Sequence, residues 1–208
     1  GDLVGFVDSD DYVDPSMFEA LYLALTEKKA DIAECGYWKA DAQGKPVQAY
    51  PLQPALYQGQ EAISLHYAKK DNGSYFCCNK LYRADLVQDL RFWPLRFSED
   101  YLFNLHAHAK CQRKVCIADP AYYYVHHPKS ATSVPFSEAK LDILKAGRAA
   151  GDYYQAHLPA LFPYAALATA NYARLLYLRL KENGKPSDLV HVPELLDHYR
   201  LYFDRSEE

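Results

Sequence analysis

Three of the four residues Asp8-Ser9-Asp10-Asp11 are carboxylates, and they follow directly on the apolar run Leu3-Val4-Gly5-Phe6-Val7. Acids this close repel one another unless something cationic sits among them. The natural candidate is a hard divalent metal, which prefers oxygen ligands. A buried strand that delivers acids at its carboxyl end is also the usual way an open α/β sheet builds a site.

Three further clusters carry chemistry. In Cys78-Asn79-Lys80-Leu81-Tyr82-Arg83, polar groups interrupt an apolar stretch. Ser98-Glu99-Asp100 puts two adjacent acids at the start of a helical pattern. Tyr122-Tyr123-Tyr124 is followed by His126, His127, Lys129, Ser130, Thr132 and Ser133. Each has a plainer reading. Glu99 and Asp100 could only cap a helix, Asn79 and Lys80 could form a turn with a solvated lysine, and some acids of the first cluster could merely cap the turn after it. His106 and His108 lie two apart on the same helical pattern, so they point to different sides and read as ordinary helix residues.

The elements that must position these residues follow from periodicity. Asp14-Pro15 reads as an N-cap followed by proline at the first helical position. Met17, Phe18, Leu21, Tyr22 and Leu25 then recur at helical spacing, which predicts a helix over 15–29. Residues 30–38 read as a strand, and 39–58, with three prolines, as a hairpin or irregular excursion. Residues 60–69 and 84–90 read as short helices, 71–74 as a turn, 92–97 as extended chain or loop and 99–110 as a helix. Residues 114–117 and 121–125 read as two short strands separated by Asp119-Pro120. From Ser137 the pattern becomes helical over 138–156, 158–182 and 193–203. The boundary is placed within Ser133–Ser137, giving domains 1–135 and 136–208.

Composition narrows the class. The 208 residues carry a net charge of -4 with no Lys/Arg tract, which argues against nucleic acid as a partner. No apolar run approaches the ~18 residues of a membrane span, and no signal peptide is recognisable. Five cysteines without C-x-x-C spacing read as reduced, mostly buried thiols of a cytosolic protein rather than a zinc site. The 19 tyrosines suit sugar stacking but are equally good strand and core residues.

The ordered segments GFVDSDDYVDPSMFEALY, CNKLYR, FSEDYLFNL and YYYVHHPKSATS resemble the glycosyltransferase family 2 proteins of the GT-A fold over roughly residues 1–135. The resemblance implies an α/β fold: the C-terminal half of a GT-A (Rossmann-like) mixed sheet flanked by helices, followed by a helical tail. It implies that Asp8-Ser9-Asp10 is the D-x-D element. This element contacts the ribose and holds Mn²⁺ or Mg²⁺ on the diphosphate of a nucleotide-sugar, most readily a UDP-sugar. Asp10 is expected as the main ligand, Asp8 as the second and Asp11 in support. Asp100 is expected as the catalytic base, with Glu99 orienting it or approaching the metal. An inverting transfer needs a base across the sugar from the metal, hence in a different chain segment. Asn79, Lys80 and Arg83 match a stretch on the acceptor side. His126, His127 and Lys129 stand where many relatives carry arginine near the diphosphate, a departure from the pattern. The implied role is transfer of a sugar to a hydroxyl of a glycan or lipid-linked acceptor in cell-surface polysaccharide synthesis, in the cytoplasm or at the inner membrane face.

The same resemblance implies a preceding strand-helix-strand half that binds the nucleotide base, whereas only Gly1–Val7 precede the acids here. The expectation is a truncated chain in which a central strand becomes an exposed edge, inviting a dimer or a distorted sheet. Two other readings compete. A haloacid-dehalogenase-like phosphatase would need Thr or Val at the position of Tyr12 and leaves Glu99-Asp100 unexplained. A non-catalytic module could use the helical tail, with Arg174, Arg179, Lys181 and Lys185, to pair subunits or rest on an anionic membrane. The truncated reading expects the 208-residue chain alone neither to bind a nucleotide-sugar tightly nor to turn over; micromolar UDP affinity by calorimetry contradicts it.

Overall fold

The computed structural model describes residues 1–69, 75–127 and 136–205. The expected turn at Asp71–Ser74 and the segment Lys129–Ser133 lie outside them. The chain divides into two compact units, Gly1–Arg91 with Phe103–Ser133, and Phe92–Leu102 with Val134–Glu208.

The first unit is a mixed sheet between helices. Its elements are β1 (Leu3–Gly5), β2 (Tyr12–Val13), α1 (Met17–Lys28), β3 (Ile32–Ala40), β4 (Pro46–Tyr50), β5 (Ala55–Gln58), α2 (Gln60–Ala68), β6 (Lys80–Arg83), α3 (Ala84–Val87), the greater part of α4 (Glu99–Lys110) and β7 (Arg113–Val125). The strand order is β1-β6-β3-β7-β2, with β4 paired to β3 and β5 to β7. Among the described residues, β3 and β7 run parallel and the other strand pairs are antiparallel.

Alternation along β3 sends side chains to two cores. Ala33 and Cys35 pack with Met17, Leu21 and Leu25 of α1. Ile32 packs with Ile63 of α2 and with Phe103, Ala107 and Cys111 of α4. All five cysteines are buried thiols outside any disulfide.

Three local expectations are corrected. The first helix begins at Met17 rather than Pro15, because the Asp14 carboxylate accepts from the Ser16 backbone N–H (2.8 Å) and organises a turn first. It ends on Lys29 in the left-handed conformation, whose N–H caps the last carbonyls. β7 does not break at Asp119-Pro120. The register of β3 shifts on both sides of Gly36, where a Cβ would lie 2.5 Å from the Tyr50 carbonyl oxygen, 3.0 Å from Pro51 Cα and 3.2 Å from Pro120 Cα, so the glycine makes room for the end of β4 as well as for the proline within the sheet. The strand before the acids is the expected edge strand, half-buried at Leu3 and Val4, and Val7 beyond it is 46% exposed. Lys80 is a fully buried strand residue, not a solvated turn lysine.

That lysine belongs to a buried charge cluster. Glu34 lies 3.3 Å from Lys80 Nζ and 2.5 Å from Lys114 Nζ, and none of the three side chains has exposed surface. It joins β3 to both neighbouring strands, β6 and β7. Burial opposes the charge of Glu34, but the two lysines outweigh it and hold its carboxyl well below the ordinary range. On the same side, His66 Nδ1 lies 3.2 Å from Lys114 Nζ, and burial together with the lysine pushes His66 down to about 4.

The second unit is helical: the first turn of α4, then α5 (Asp142–His157), α6 (Phe162–Asn183) and α7 (Val192–Arg205), with short 3₁₀ segments before each of the last three. α5 and α6 approach closely through small residues. A Cβ on Gly147 would lie 2.5 Å from Thr169 Oγ1.

Removing the charge of Glu34 leaves two buried lysines without a counter-ion. Glu34→Gln is expected to cost ~3–5 kcal/mol in urea unfolding. The pH dependence has a definite sign. Between pH 6.5 and about 4 the unfolded chain protonates His66 while the folded chain resists, so stability falls as pH falls through that window. The stabilisation from Glu34, present above its ordinary value of 4.5, is lost on further acidification. A urea midpoint that stays flat from neutral pH to pH 4 contradicts the His66 assignment, and one that stays flat on further acidification contradicts that of Glu34.

Candidate functional site

The acid cluster is a tight turn stapled to the end of β7. The Asp11 N–H donates to the Asp8 carbonyl at 3.1 Å, closing the turn. Tyr122 of β7 reaches it from below: its hydroxyl donates to Asp11 Oδ2 at 2.6 Å and accepts the Asp8 N–H at 3.2 Å. The Val125 N–H donates to Asp11 Oδ1 at 2.8 Å. β2 then pairs with β7, Tyr12 opposite Tyr123 and Val13 opposite Tyr122. Both Asp11 oxygens are therefore held by protein donors, whereas Asp8 and Asp10 lie exposed at the top of the turn.

The electrostatics follow from this placement. Burial raises the Asp11 carboxyl above its ordinary value; the hydrogen bonds from Tyr122 and Val125 and the nearby His127 oppose the rise, while Asp10 adds to it. Burial likewise raises the Tyr122 phenol, keeping it a protonated donor to Asp11. His126 and His127 continue directly from Val125, and the His126 N–H donates to the Ala40 carbonyl at 2.9 Å. The structure thus gathers Asp8, Asp10, Asp11, His126 and His127 at one end of the sheet. Lys129 lies outside the described residues.

Asn79 and Lys80 are interior residues. The Asn79 amide donates to the Cys35 carbonyl at 2.7 Å, and Lys80 Nζ donates to Asn79 Oδ1 at 2.8 Å and to the Phe76 carbonyl at 2.5 Å. Neither side chain presents surface to an acceptor; together they fix the segment entering β6. Arg83 is exposed but lies at the other end of the sheet. It pairs in register with Leu3, the first residue of β1, while the acids follow the last residue of that strand. Its guanidinium is bound to Asp85 and lies 3.6 Å from Asp31. The acceptor-side grouping of Asn79, Lys80 and Arg83 therefore does not assemble around the acids.

Glu99 and Asp100 open α4 within the second unit. Ser98 before them has a φ of 66°, a left-handed conformation that costs a non-glycine residue about 1–2 kcal/mol. Its carbonyl accepts the Leu102 N–H at 3.4 Å. The approach to this strained residue is fastened to the start of α5: the Arg96 N–H donates to Asp142 Oδ2 at 2.9 Å, and Lys145 holds the other oxygen at 2.7 Å. Burial, with Asp100 adding, raises the Glu99 carboxyl. Asp100 is half-buried beside it, in the first helical turn where the dipole favours an anion.

At the acid turn the chain presents two exposed carboxylates, Asp8 and Asp10. Among the described residues no three His, Cys, Asp or Glu side chains form a metal cage. Two exposed carboxylates with water and phosphate oxygens are the usual environment of a Mg²⁺-type ion bound together with a substrate diphosphate.

The architecture, a mixed sheet flanked by helices and followed by a helical tail, is that of GT-A-like glycosyltransferases. The chain superposes on Staphylococcus aureus TarS residues 1–349, solved in complex with UDP-GlcNAc, with a TM-score of 0.59 and 17% identity, covering 97% of this chain and 66% of that one. In sequence it is 28% identical over 144 residues to the uncharacterized glycosyltransferase EpsJ of Bacillus subtilis, over 67% of this chain and 42% of EpsJ. It is 27% identical over 131 residues to the glycosyltransferase GlyA of Streptococcus pneumoniae, over 60% of this chain and 19% of GlyA. The chain thus spans less than half the length of these curated relatives. No family model matches it. Among the described residues, no helix is long and apolar enough to cross a membrane.

Tyr122 was visible in the sequence only as the first of three tyrosines, and its role in the site was not. Strand alternation offered a signal, since it places Tyr122 and Tyr124 on one face and Tyr123 on the other. Tyr122→Phe removes the donor to Asp11 and the acceptor for the Asp8 N–H. It is expected to destabilise the fold by about 1.5–3 kcal/mol in urea unfolding, the range for a hydrogen bond to a charged group; a cost within 0.5 kcal/mol of zero contradicts the assignment.

Proposed function

We propose that this chain carries the donor-diphosphate acids and the catalytic base of a metal-dependent inverting glycosyltransferase of family 2. The observation that carries the reading is the acid turn, in which Asp11 is spent on anchoring so that Asp8 and Asp10 stand exposed at the end of the sheet. Asp10 is the main ligand of Mn²⁺ or Mg²⁺ and Asp8 the second, with Asp11 supporting from below. A bound ion would supply Lewis-acid neutralisation of the departing diphosphate. His127 beside Asp11, with His126, adds cationic capacity near the phosphates when protonated.

Asp100 takes the proton of the acceptor hydroxyl as that oxygen attacks the anomeric carbon. Glu99, beside it, orients Asp100 or approaches the metal. The donor is a nucleotide-sugar, with a UDP-sugar favoured because TarS was solved with UDP-GlcNAc. The acceptor is a hydroxyl of a cell-surface polysaccharide or glycan, a class consistent with relatives named as glycosyltransferases.

The test is transfer of labelled sugar from UDP-GlcNAc, assayed with Mn²⁺ and with EDTA on the protein that contains this chain. Asp10→Asn and Asp100→Asn are each expected to lower turnover by about 10²-fold or more. EDTA should abolish turnover and Mn²⁺ restore it. Activity indifferent to EDTA and to Asp10→Asn overturns the metal assignment; full activity in Asp100→Asn overturns the base.

A further inference from the structure

Ser98 is the last residue before the acids Glu99 and Asp100, and its φ of 66° is left-handed. A serine released from its surroundings leaves that conformation by a population ratio of roughly 5–30-fold. Strain of this kind persists only where neighbouring structure holds it, and it gathers at functional sites. Here it has a direct consequence. The backbone at Ser98 sets the angle at which the chain enters α4, and its carbonyl accepts the Leu102 N–H at 3.4 Å within the first turn. The direction of the Glu99 and Asp100 side chains follows from that angle.

Two side chains from the start of the helical tail hold the residues just before Ser98, and all of them lie within the second unit. Asp142 Oδ2 accepts the Arg96 N–H at 2.9 Å, across 46 positions of sequence. Lys145 holds the other oxygen at 2.7 Å, so the carboxylate has both oxygens fixed. Lys140 Nζ stands 5.9 Å from the centroid of the Phe97 ring, within reach of a cation–π contact. Asp142 is 9% exposed and Lys140 1%, whereas Lys145 is largely in solvent. The buried pair therefore grips Arg96 and Phe97, the two residues whose path decides whether Ser98 stays left-handed.

We propose that Asp142 is a positioning residue for the catalytic base: by holding the Arg96 N–H it keeps Ser98 left-handed and so aims Asp100 at the acceptor hydroxyl. What matters is where its oxygen stands rather than its charge, because the group it holds is a neutral backbone N–H. Lys140 supports the same segment through Phe97. The assignment rests on Asp100 being the base, and it makes the first residues of the helical tail part of what turnover requires.

The test is transfer of labelled sugar from UDP-GlcNAc with Mn²⁺, on the protein that contains this chain. Asp142→Ala should lower kcat about tenfold with KM for UDP-GlcNAc within about twofold, the pattern of a misaimed base rather than a lost donor contact. Asp142→Asn keeps an acceptor oxygen in place and should restore most of the loss. Asp142→Glu keeps the charge but sets it one methylene out, and should stay low. Ser98→Gly combined with Asp142→Ala should also recover most of the loss, because glycine adopts the left-handed backbone freely. An aspartate that served only the stability of the tail has no such coupling to Ser98. Amide hydrogen exchange on the 208-residue chain gives a readout independent of turnover: Asp142→Ala should speed exchange at Leu102, and Ser98→Gly should reverse it.

Wild-type kcat in Asp142→Ala alongside an impaired Asp100→Asn overturns this proposal and leaves the base standing. Full activity in Asp100→Asn overturns the base and this assignment with it. An active Asp142→Glu with an impaired Asp142→Asn shows that charge is what counts, and overturns the proposal, as does a loss that Ser98→Gly leaves unchanged. If Asp142→Ala does not fold, the contrast between the Asn and Glu variants decides. If UDP-GlcNAc is not the donor, exchange at Leu102 decides, and exchange indifferent to both substitutions overturns the proposal.

Discussion

The site in the first unit depends on one carboxylate being spent on structure. Asp11 accepts from the Tyr122 hydroxyl and from the Val125 N–H, so the acid turn cannot lift from β7 without leaving a half-buried charge unpaired. That geometry sets the roles of its neighbours. Asp8 keeps its backbone tied to Tyr122 while its side chain stands in solvent, and Asp10 occupies the tip of the turn. The crowding of three acids in four residues is eased because the Asp11 carboxylate is held by hydrogen bonds from Tyr122 and Val125.

Behind the turn, the sheet is held by a second electrostatic device. Glu34 sits on β3 between lysines from β6 and β7, and Lys80 ties it further to Asn79 and the Phe76 carbonyl. A buried triad of this kind adds little to net stability compared with a well-packed apolar core, but a shifted register would strand its charges. The strands that carry it also carry the site: β7 leads to Tyr122 and Val125, and β3 ends at Ala40 beneath His126. Gly36 and Pro120 let the two long strands stay paired past an irregularity that would otherwise break them.

Much of this was legible from residue patterns. The helices α1, α2 and α4, the helical tail and the strand leading to the acids followed from periodicity, and all five cysteines are the buried thiols that their spacing implied. What was not legible came from long-range partners. Tyr122 and Asp11 are 111 positions apart, and no local pattern links them. Lys80 read either as an acceptor-side residue or as a solvated turn lysine because its counter-charge, Glu34, sits in an apolar strand far back in the chain. Arg83 looked part of the site because it stands in the stretch that resembles the family's acceptor side, yet the three residues of extended strand from Lys80 carry it about 10 Å away from the acid end. The continuity of β7 through Pro120 depended on a glycine in another strand.

The central claim is that Asp8 and Asp10 form the cation-holding part of a diphosphate site. It is tested most directly by titrating the isotopically labelled chain with Mn²⁺ in the presence of UDP and following paramagnetic broadening of its amide signals. The signals of residues 8–11 and of Val125–His127 should vanish first, and Asp10→Asn should remove the effect. Broadening centred anywhere else in the chain, or unchanged by Asp10→Asn, would contradict it.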